Sequence, residues 1–168
     1  MAKTATYALI ESQVLGSSQA SVTFSSIPAT YTDLVLVCVN GNTLNSDNDI
    51  YIRFNSDTAS NYSRTQLIGN GSTATSSRTS NNTEIRIGPS FNNLVTSTLI
   101  MHIFDYANTT TNKTVLLRSG NAAGYLVAET ALWRKTPEAI NTIALTLQGG
   151  SYVFGSTFRL YGIQAGNA

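Results

Sequence analysis

The chain predicts an all-β fold: a jelly-roll-like antiparallel β-sandwich of about ten or eleven strands with almost no helix. Three observations carry that expectation. Runs in which apolar and polar residues alternate recur roughly every 10 to 15 residues along the 168-residue sequence. Clusters of Asn, Gly, Ser and Thr, the residues that build turns, separate these runs. Helical periodicity is nearly absent.

The strand candidates are 7–14, 21–24, 33–40, 49–54, 63–68, 83–88, 98–106, 113–119, 129–133, 140–147 and 154–163. Pro28 bends the chain ahead of the third run. In DIYIRF, Ile50, Ile52 and Phe54 point one way and Tyr51 and Arg53 the other, the pattern of a half-solvated strand. NTIALTLQ reads likewise, with Ile143, Leu145 and Leu147 on one side. By contrast, DLVLVCV and LIMHIF are apolar on both faces, which marks them as central strands or as strands at a subunit interface.

Turn chemistry links the runs. Asn-Gly in VNGN (39–42) and GNGS (69–72) suits the positive φ of tight hairpins, and QGGS (148–151) is expected to act likewise between the last two strands. Segment 69–82, GNGSTATSSRTSNN, lacks any hydrophobic anchor and reads as a projecting surface loop. In RKTPEAIN, Thr136 can cap one helical turn starting at Pro137 and Glu138. The last run, VFGSTFRLYGI, places Phe154, Phe158 and Leu160 on an inner face and Thr157, Arg159 and Tyr161 on an outer one. Gly155 and Gly162 mark bends or close approaches. Arg159 and Tyr161 are therefore the candidate interface residues.

Length and composition bound the function. The chain fits one domain, 1–168, with a short N-terminal arm at about 1–6. A domain of this size hides about two thirds of its unfolded surface. Only 11% of residues are charged, and Ser, Thr and Asn make up roughly a third, so the surface is neutral and polar. With a net charge of +1 and Arg134-Lys135 as its one adjacent basic pair, the chain has no footprint for nucleic acid or an anionic membrane. It contains no long apolar run and no leader-like start, so a soluble product of a cytoplasm is expected.

Reactive residues are sparse. Cys38 is the single cysteine and reads as a small buried hydrophobe. His102 is the single histidine, so any His-based triad would have to run through it; a strand histidine with a hydrogen-bonded ring is the ordinary alternative. Asp47, Asp49 and Asp57 gather oxygen donors around NSDNDIYIRFNSD but lack the glycine and distal glutamate of a calcium loop. Asn-x-Ser/Thr triplets at Asn61, Asn70, Asn81, Asn108 and Asn112 are expected by chance in so Asn-, Ser- and Thr-rich a chain. Tyr51, Tyr62, Tyr125 and Tyr152, placed near loops or on polar faces, are the candidates for sugar contact, against packed rings as the ordinary alternative. No catalytic, cofactor or metal residue is assigned, and no enzyme is expected.

Three stretches carry a family resemblance: LGSSQASVTFSSIPATYTDLVLV (15–37), IRFNSDTASNYSRTQLIGNGS (52–72) and AINTIALTLQGGSYVFGSTFRLYGI (139–163). With FDYANTTTNKTVLLRSG (104–120) between them, they resemble small virion structural proteins of tailed bacteriophages, notably phages of aquatic bacteria including cyanobacteria. The resemblance implies a β-sandwich that decorates or cements a capsid, commonly as a homotrimer, with the major capsid protein and its own copies as partners and no cofactor. The virion would be its location. It also implies the alternative of a tail-fibre or receptor-binding module that recognises a host surface glycan.

Overall fold

The computed structural model describes residues 6–43, 48–91, 96–121 and 124–164. Among them are twelve strands and no helix. The strands are β1 (Tyr7–Val14), β2 (Ser21–Phe24), β3 (Asp33–Asn40), β4 (Asn48–Phe54), β5 (Tyr62–Gly69), β6 (Ala74–Asn82), β7 (Ile85–Phe91), β8 (Ser97–Ile103), β9 (Lys113–Gly120), β10 (Leu126–Trp133), β11 (Ile143–Leu147) and β12 (Thr157–Ile163). They form an eight-stranded sheet, β1-β12-β3-β8-β9-β10-β5-β6, and a four-stranded sheet, β2-β11-β4-β7, antiparallel throughout. The chain crosses repeatedly between the two layers, as jelly-roll wrapping requires.

Alternation fixes the layers. Leu34, Leu36 and Cys38 of β3, Leu99, Met101 and Ile103 of β8, Val115 and Leu117 of β9, and Phe158 and Leu160 of β12 are buried and face the small sheet. From the other side come Val22, Phe24, Ile50, Ile52, Phe54, Ile85, Ile87, Ile143 and Leu145. Burying a side chain of this kind contributes about 1.5–3 kcal/mol. A slip of one residue in any strand would expose its whole set.

An aromatic cluster pins the layers where β4 hands the chain to β5. Phe54 meets Trp133 edge to face at 5.6 Å, and Tyr62 stacks on Trp133 at 6.4 Å. The handover is a tight turn with Asn55 at φ 49 and Ser56 at φ 56, closed by Asp57 N donating to Phe54 O at 2.9 Å. Asn is among the few non-glycine residues that tolerate this region. Its amide also donates to Ala139 O at 2.8 Å, and its carbonyl accepts from Asn141 N at 2.9 Å. The buried Asp57 carboxylate accepts from Trp133 Nε1 at 2.7 Å, Asn61 Nδ2 at 2.8 Å and Ala59 N at 2.9 Å. Burial pushes its pKa up, but these hydrogen bonds and the Lys135 charge outweigh it, and the net shift is downward.

A second buried polar group lies between the sheets beside β7. Arg64 Nη1 reaches Glu129 Oε2 at 3.3 Å and donates to Gln66 Oε1 at 2.7 Å and to the Arg86 carbonyl. Asp49 pairs with Arg86. Glu129 Oε1 is buried with no hydrogen-bond partner among the described residues. Desolvation, only partly offset by Arg64 and reinforced by Asp49, pushes the Glu129 pKa up to about 8.

Several expectations need correction. Segment 69–82 is not a projecting loop: β5 and β6 form a hairpin whose turn is built by Asn70 Oδ1, which accepts from Ser72 N at 3.0 Å and Thr73 N at 2.8 Å. It read as a loop because eight of the nine β6 side chains are exposed, so no apolar face marks the strand. This extra strand raises the count from the expected ten or eleven to twelve. VNGN closes no hairpin, since β3 lies between β12 and β8, and QGGS joins strands of different sheets. The expected helical turn at Thr136 to Glu138 is a bend; Lys135 Nζ and Asn55 Nδ2 instead hold Glu138 at 3.0 and 2.9 Å. Phe154 is not a core residue: it lies in a turn before β12 with 72% of its surface exposed, beside Gly155 at φ 81. Gly162 is a close approach as expected, its missing Cβ leaving room for the Tyr31 ring. Of the proposed N-terminal arm, residues 1–5 lie outside the described residues.

Two outcomes follow for stability. Asp57→Ala leaves the Trp133 and Asn61 donors without their acceptor, and denaturant unfolding should show a loss of about 2–3 kcal/mol. Glu129 binds its proton more tightly folded than unfolded, so its contribution is complete below its ordinary pKa of 4.5 and lost as pH rises through about 8. Unfolding measured between about pH 5 and about pH 8 should therefore show stability falling by on the order of 3 kcal/mol, with Glu129→Gln flattening the slope.

Candidate functional site

The eight-stranded sheet has one face on the core and one open. Because directly paired residues share a face, the register gives the open face as rows running across the strands. One row reads Ser12, Arg159, Val37, Ile100, Arg118, Ala128, Leu67, Ser76 from β1 to β6. The next reads Leu9, Tyr161, Val35, His102, Leu116, Thr130, Thr65, Arg78. The centre of both rows is largely aliphatic.

Apolar exposure is concentrated here. Among the described residues, seven large hydrophobic side chains are exposed: Tyr7, Leu9, Val14, Leu67, Leu116, Leu126 and Phe154. All but Phe154 lie on this open face, each with more than half of its surface accessible. Scattered exposed apolar residues are ordinary on a soluble protein; six on one sheet face are a patch.

The face is concave. Tyr7 of β1 and Ser76 of β6, on opposite edge strands, line a single cavity of about 680 Å³ together with Val35, Ile100, Leu116 and Ala128. In a flat sheet those edges would stand about 34 Å apart at the usual strand spacing of roughly 4.8 Å. The coiling that natural sheets take up brings them to one groove. Tyr7 meets Tyr161 edge to face at 6.4 Å on the β1 side.

Polar groups on this face divide into two kinds. His102 Nε2 lies 3.3 Å from Asp33 Oδ2, and its ring stacks on Phe104 at 4.1 Å. Asp33 also accepts from Asp105 N at 2.7 Å. The His102 ring is thus held by a carboxylate and an aromatic face. The arginines behave differently. Arg53 pairs with Glu84, Arg64 with Glu129, Arg86 with Asp49, and Arg134 donates to Asn81 Oδ1. Arg78, Arg118 and Arg159 engage no other described residue through their guanidinium groups, and all three project from the open face.

The residues singled out from sequence are dispersed rather than gathered. Arg159 and Tyr161 both stand on the open face, half-buried, on β12. Cys38 is buried in the core, and desolvation pushes its thiol pKa upward, away from the reactive thiolate. Asp47 lies outside the described residues. Asp49 and Asp57 serve different partners, Arg86 and Trp133, and among the described residues no group of three or more His, Cys, Asp or Glu side chains stands where it could hold a metal. Tyr62 and Tyr152 are not near-surface rings but fully buried, Tyr152 packed edge to face on Phe158 at 5.0 Å. Tyr51 of β4 and Tyr125, just before β10, are half-buried. Asn70 and Asn108, at two of the five triplets, spend their carbonyl oxygens on turn backbone.

Sequence reasoning did not find the groove itself, because its lining comes from strands far apart in the chain. The one signal was the double-sided apolarity of DLVLVCV and LIMHIF: these are the adjacent strands β3 and β8, and their outward residues Val35, Val37, Ile100 and His102 form the middle of the open face.

No family model matches the chain, and no curated protein matches it. Among solved structures, it is similar to the galectin LEC-6 of Caenorhabditis elegans at 12% identity and a TM-score of 0.46, over 89% of this chain and 94% of that one. It is also similar to a protein of unknown function from Shewanella oneidensis MR-1 at 10% identity and a TM-score of 0.22, over 99% of this chain and 79% of that one.

Proposed function

We propose that the chain is a structural binding protein of a virion, of the capsid decoration or cement type, which docks through the open face of its eight-stranded sheet. It would act as a non-enzymatic clamp, made in the host cytoplasm, on the major capsid protein of a tailed bacteriophage and on its own copies, as a homotrimer. The observation that carries this reading is the placement of six of seven exposed large apolar side chains on one sheet face. Covering such a patch removes apolar surface from water at about 25 cal/mol per Å². A protein that binds only the assembled shell stabilises that shell by mass action.

The family resemblance in 15–37, 52–72 and 139–163 supports the same class. So does composition: a weakly charged, hydroxyl-rich surface suits a protein covered by neighbours. The tail-fibre alternative, with a host glycan as ligand, draws on the groove's concavity. Its aliphatic centre, however, offers a sugar few hydrogen-bond partners.

Quantitative mass spectrometry of purified particles tests the proposal. The chain should be present on heads in fixed proportion to the major capsid protein, and Leu116→Arg, which places a charge in the middle of the apolar row, should strip it from them. Recovery only with tails, in a few copies, would favour the fibre alternative. Absence from particles would remove the virion reading.

A further inference from the structure

Resting on the reading of the open face as the docking surface, we infer that its occupant is an acidic amphipathic helix of the partner protein, laid across the strands with its apolar stripe in the groove. The charge pattern is the first ground. Elsewhere on the molecule, Arg53, Arg64 and Arg86 each reach a carboxyl group, of Glu84, Glu129 and Asp49. On the open face, Arg159, Arg118 and Arg78 reach no carboxylate among the described residues, and Asp33, the acidic residue described on that face, is taken by His102 and the Asp105 amide. Unmatched guanidinium groups flanking an apolar patch await carboxylates, which they bind in charge-assisted hydrogen bonds.

Spacing is the second ground. Arg159 is on the second strand of the sheet, Arg118 on the fifth and Arg78 on the eighth. Three strand spacings are about 14 Å, so the arginines recur at even intervals along the groove. Coiling shortens the straight-line interval, and seven residues, two helical turns rising about 10 Å, return a helix to the same flank. Arg159 and Arg118 share one row and Arg78 ends the next, so a partner with acids at that interval meets them in turn.

Backbone chemistry selects a helix over a strand. A strand crossing this sheet at right angles would find no backbone partners beneath it, since the sheet's own hydrogen bonds lie in its plane. A helix satisfies its backbone internally and presents one apolar stripe, as in other helix-in-groove complexes. The concavity excludes a lipid surface, which is flat on this scale. A second copy docked face to face would set arginines against arginines.

Titration of the full-length protein with three synthetic helical peptides, followed by amide NMR, tests the inference. All three carry the same leucine stripe; they differ only in bearing Glu, Gln or Lys at positions about seven residues apart. The glutamate peptide should shift the Ile100, Leu116 and Ala128 amides and bind about ten-fold tighter than the glutamine peptide at low salt, converging with it as salt rises. In the Arg118→Glu/Arg159→Glu double variant the preference should invert to the lysine peptide. Equal binding of the three peptides, an unaltered preference in the double variant, or perturbation of these amides by phosphatidylglycerol vesicles or an oligonucleotide in place of the glutamate peptide would overturn the inference. If Leu116→Arg still strips the chain from particles while the glutamate peptide fails, the docking face stands and only the acidic helix is lost. If both fail, the docking face is lost as well.

Discussion

The register of the eight-stranded sheet is the constraint on which the rest depends. It is held from the inside: each central strand buries alternate residues against the four-stranded sheet, and a shift by one would turn Leu36, Met101 or Leu160 to water. Once the inner set is fixed, the outer set has no freedom left. The open face is therefore as determined as the core, although nothing among the described residues covers it. At the far end, β6 has exposed side chains on both faces, because the small sheet stops at β7; its order comes from pairing with β5 and from the Asn70 turn.

Two treatments of charge distinguish the space between the sheets from the open face of the large sheet. Between the sheets, burial forces each ion to find a partner or give up its charge, and Glu129, with one oxygen unpartnered and a pKa near 8, does some of both. On the open face Arg78, Arg118 and Arg159 engage no other described residue through their guanidinium groups. That difference, together with the apolar rows between the arginines, is the ground for proposing the face as one half of an interface. The pinned corner at Phe54, Tyr62, Trp133 and Asp57 serves it indirectly by locking the ends of β5 and β10, whose other residues floor the groove.

Much of this was legible in the residues. Strands with one apolar face, such as β4 and β11, announce themselves by alternation, and the first three strands match their expected limits. β6 was missed because a strand with no buried face carries no hydrophobic period, only the Thr and Ser that also populate loops. Tyr62 and Tyr152 were misplaced for a related reason: each flanks turn-rich sequence, yet each ring turns inward, and neighbouring polarity says nothing of that. Phe154 erred in the opposite sense, since parity put it inward while Gly155 breaks the strand before it. Arg159 and Tyr161 could be assigned a face from parity alone. Their neighbours across the sheet could not, because Arg118 and Arg78 join them only through pairings between strands distant in sequence.

Hydroxyl-radical footprinting of the protein, free and then bound in its assembly, tests the central claim most directly. The account predicts strong protection of Leu116, Leu126, Leu67 and Tyr161 on the open face of the large sheet, with Tyr51 on the outer side of the small sheet oxidised equally in both states. Protection confined to the small sheet, with Leu116 and Leu126 as reactive in the assembly as in the free chain, would contradict it.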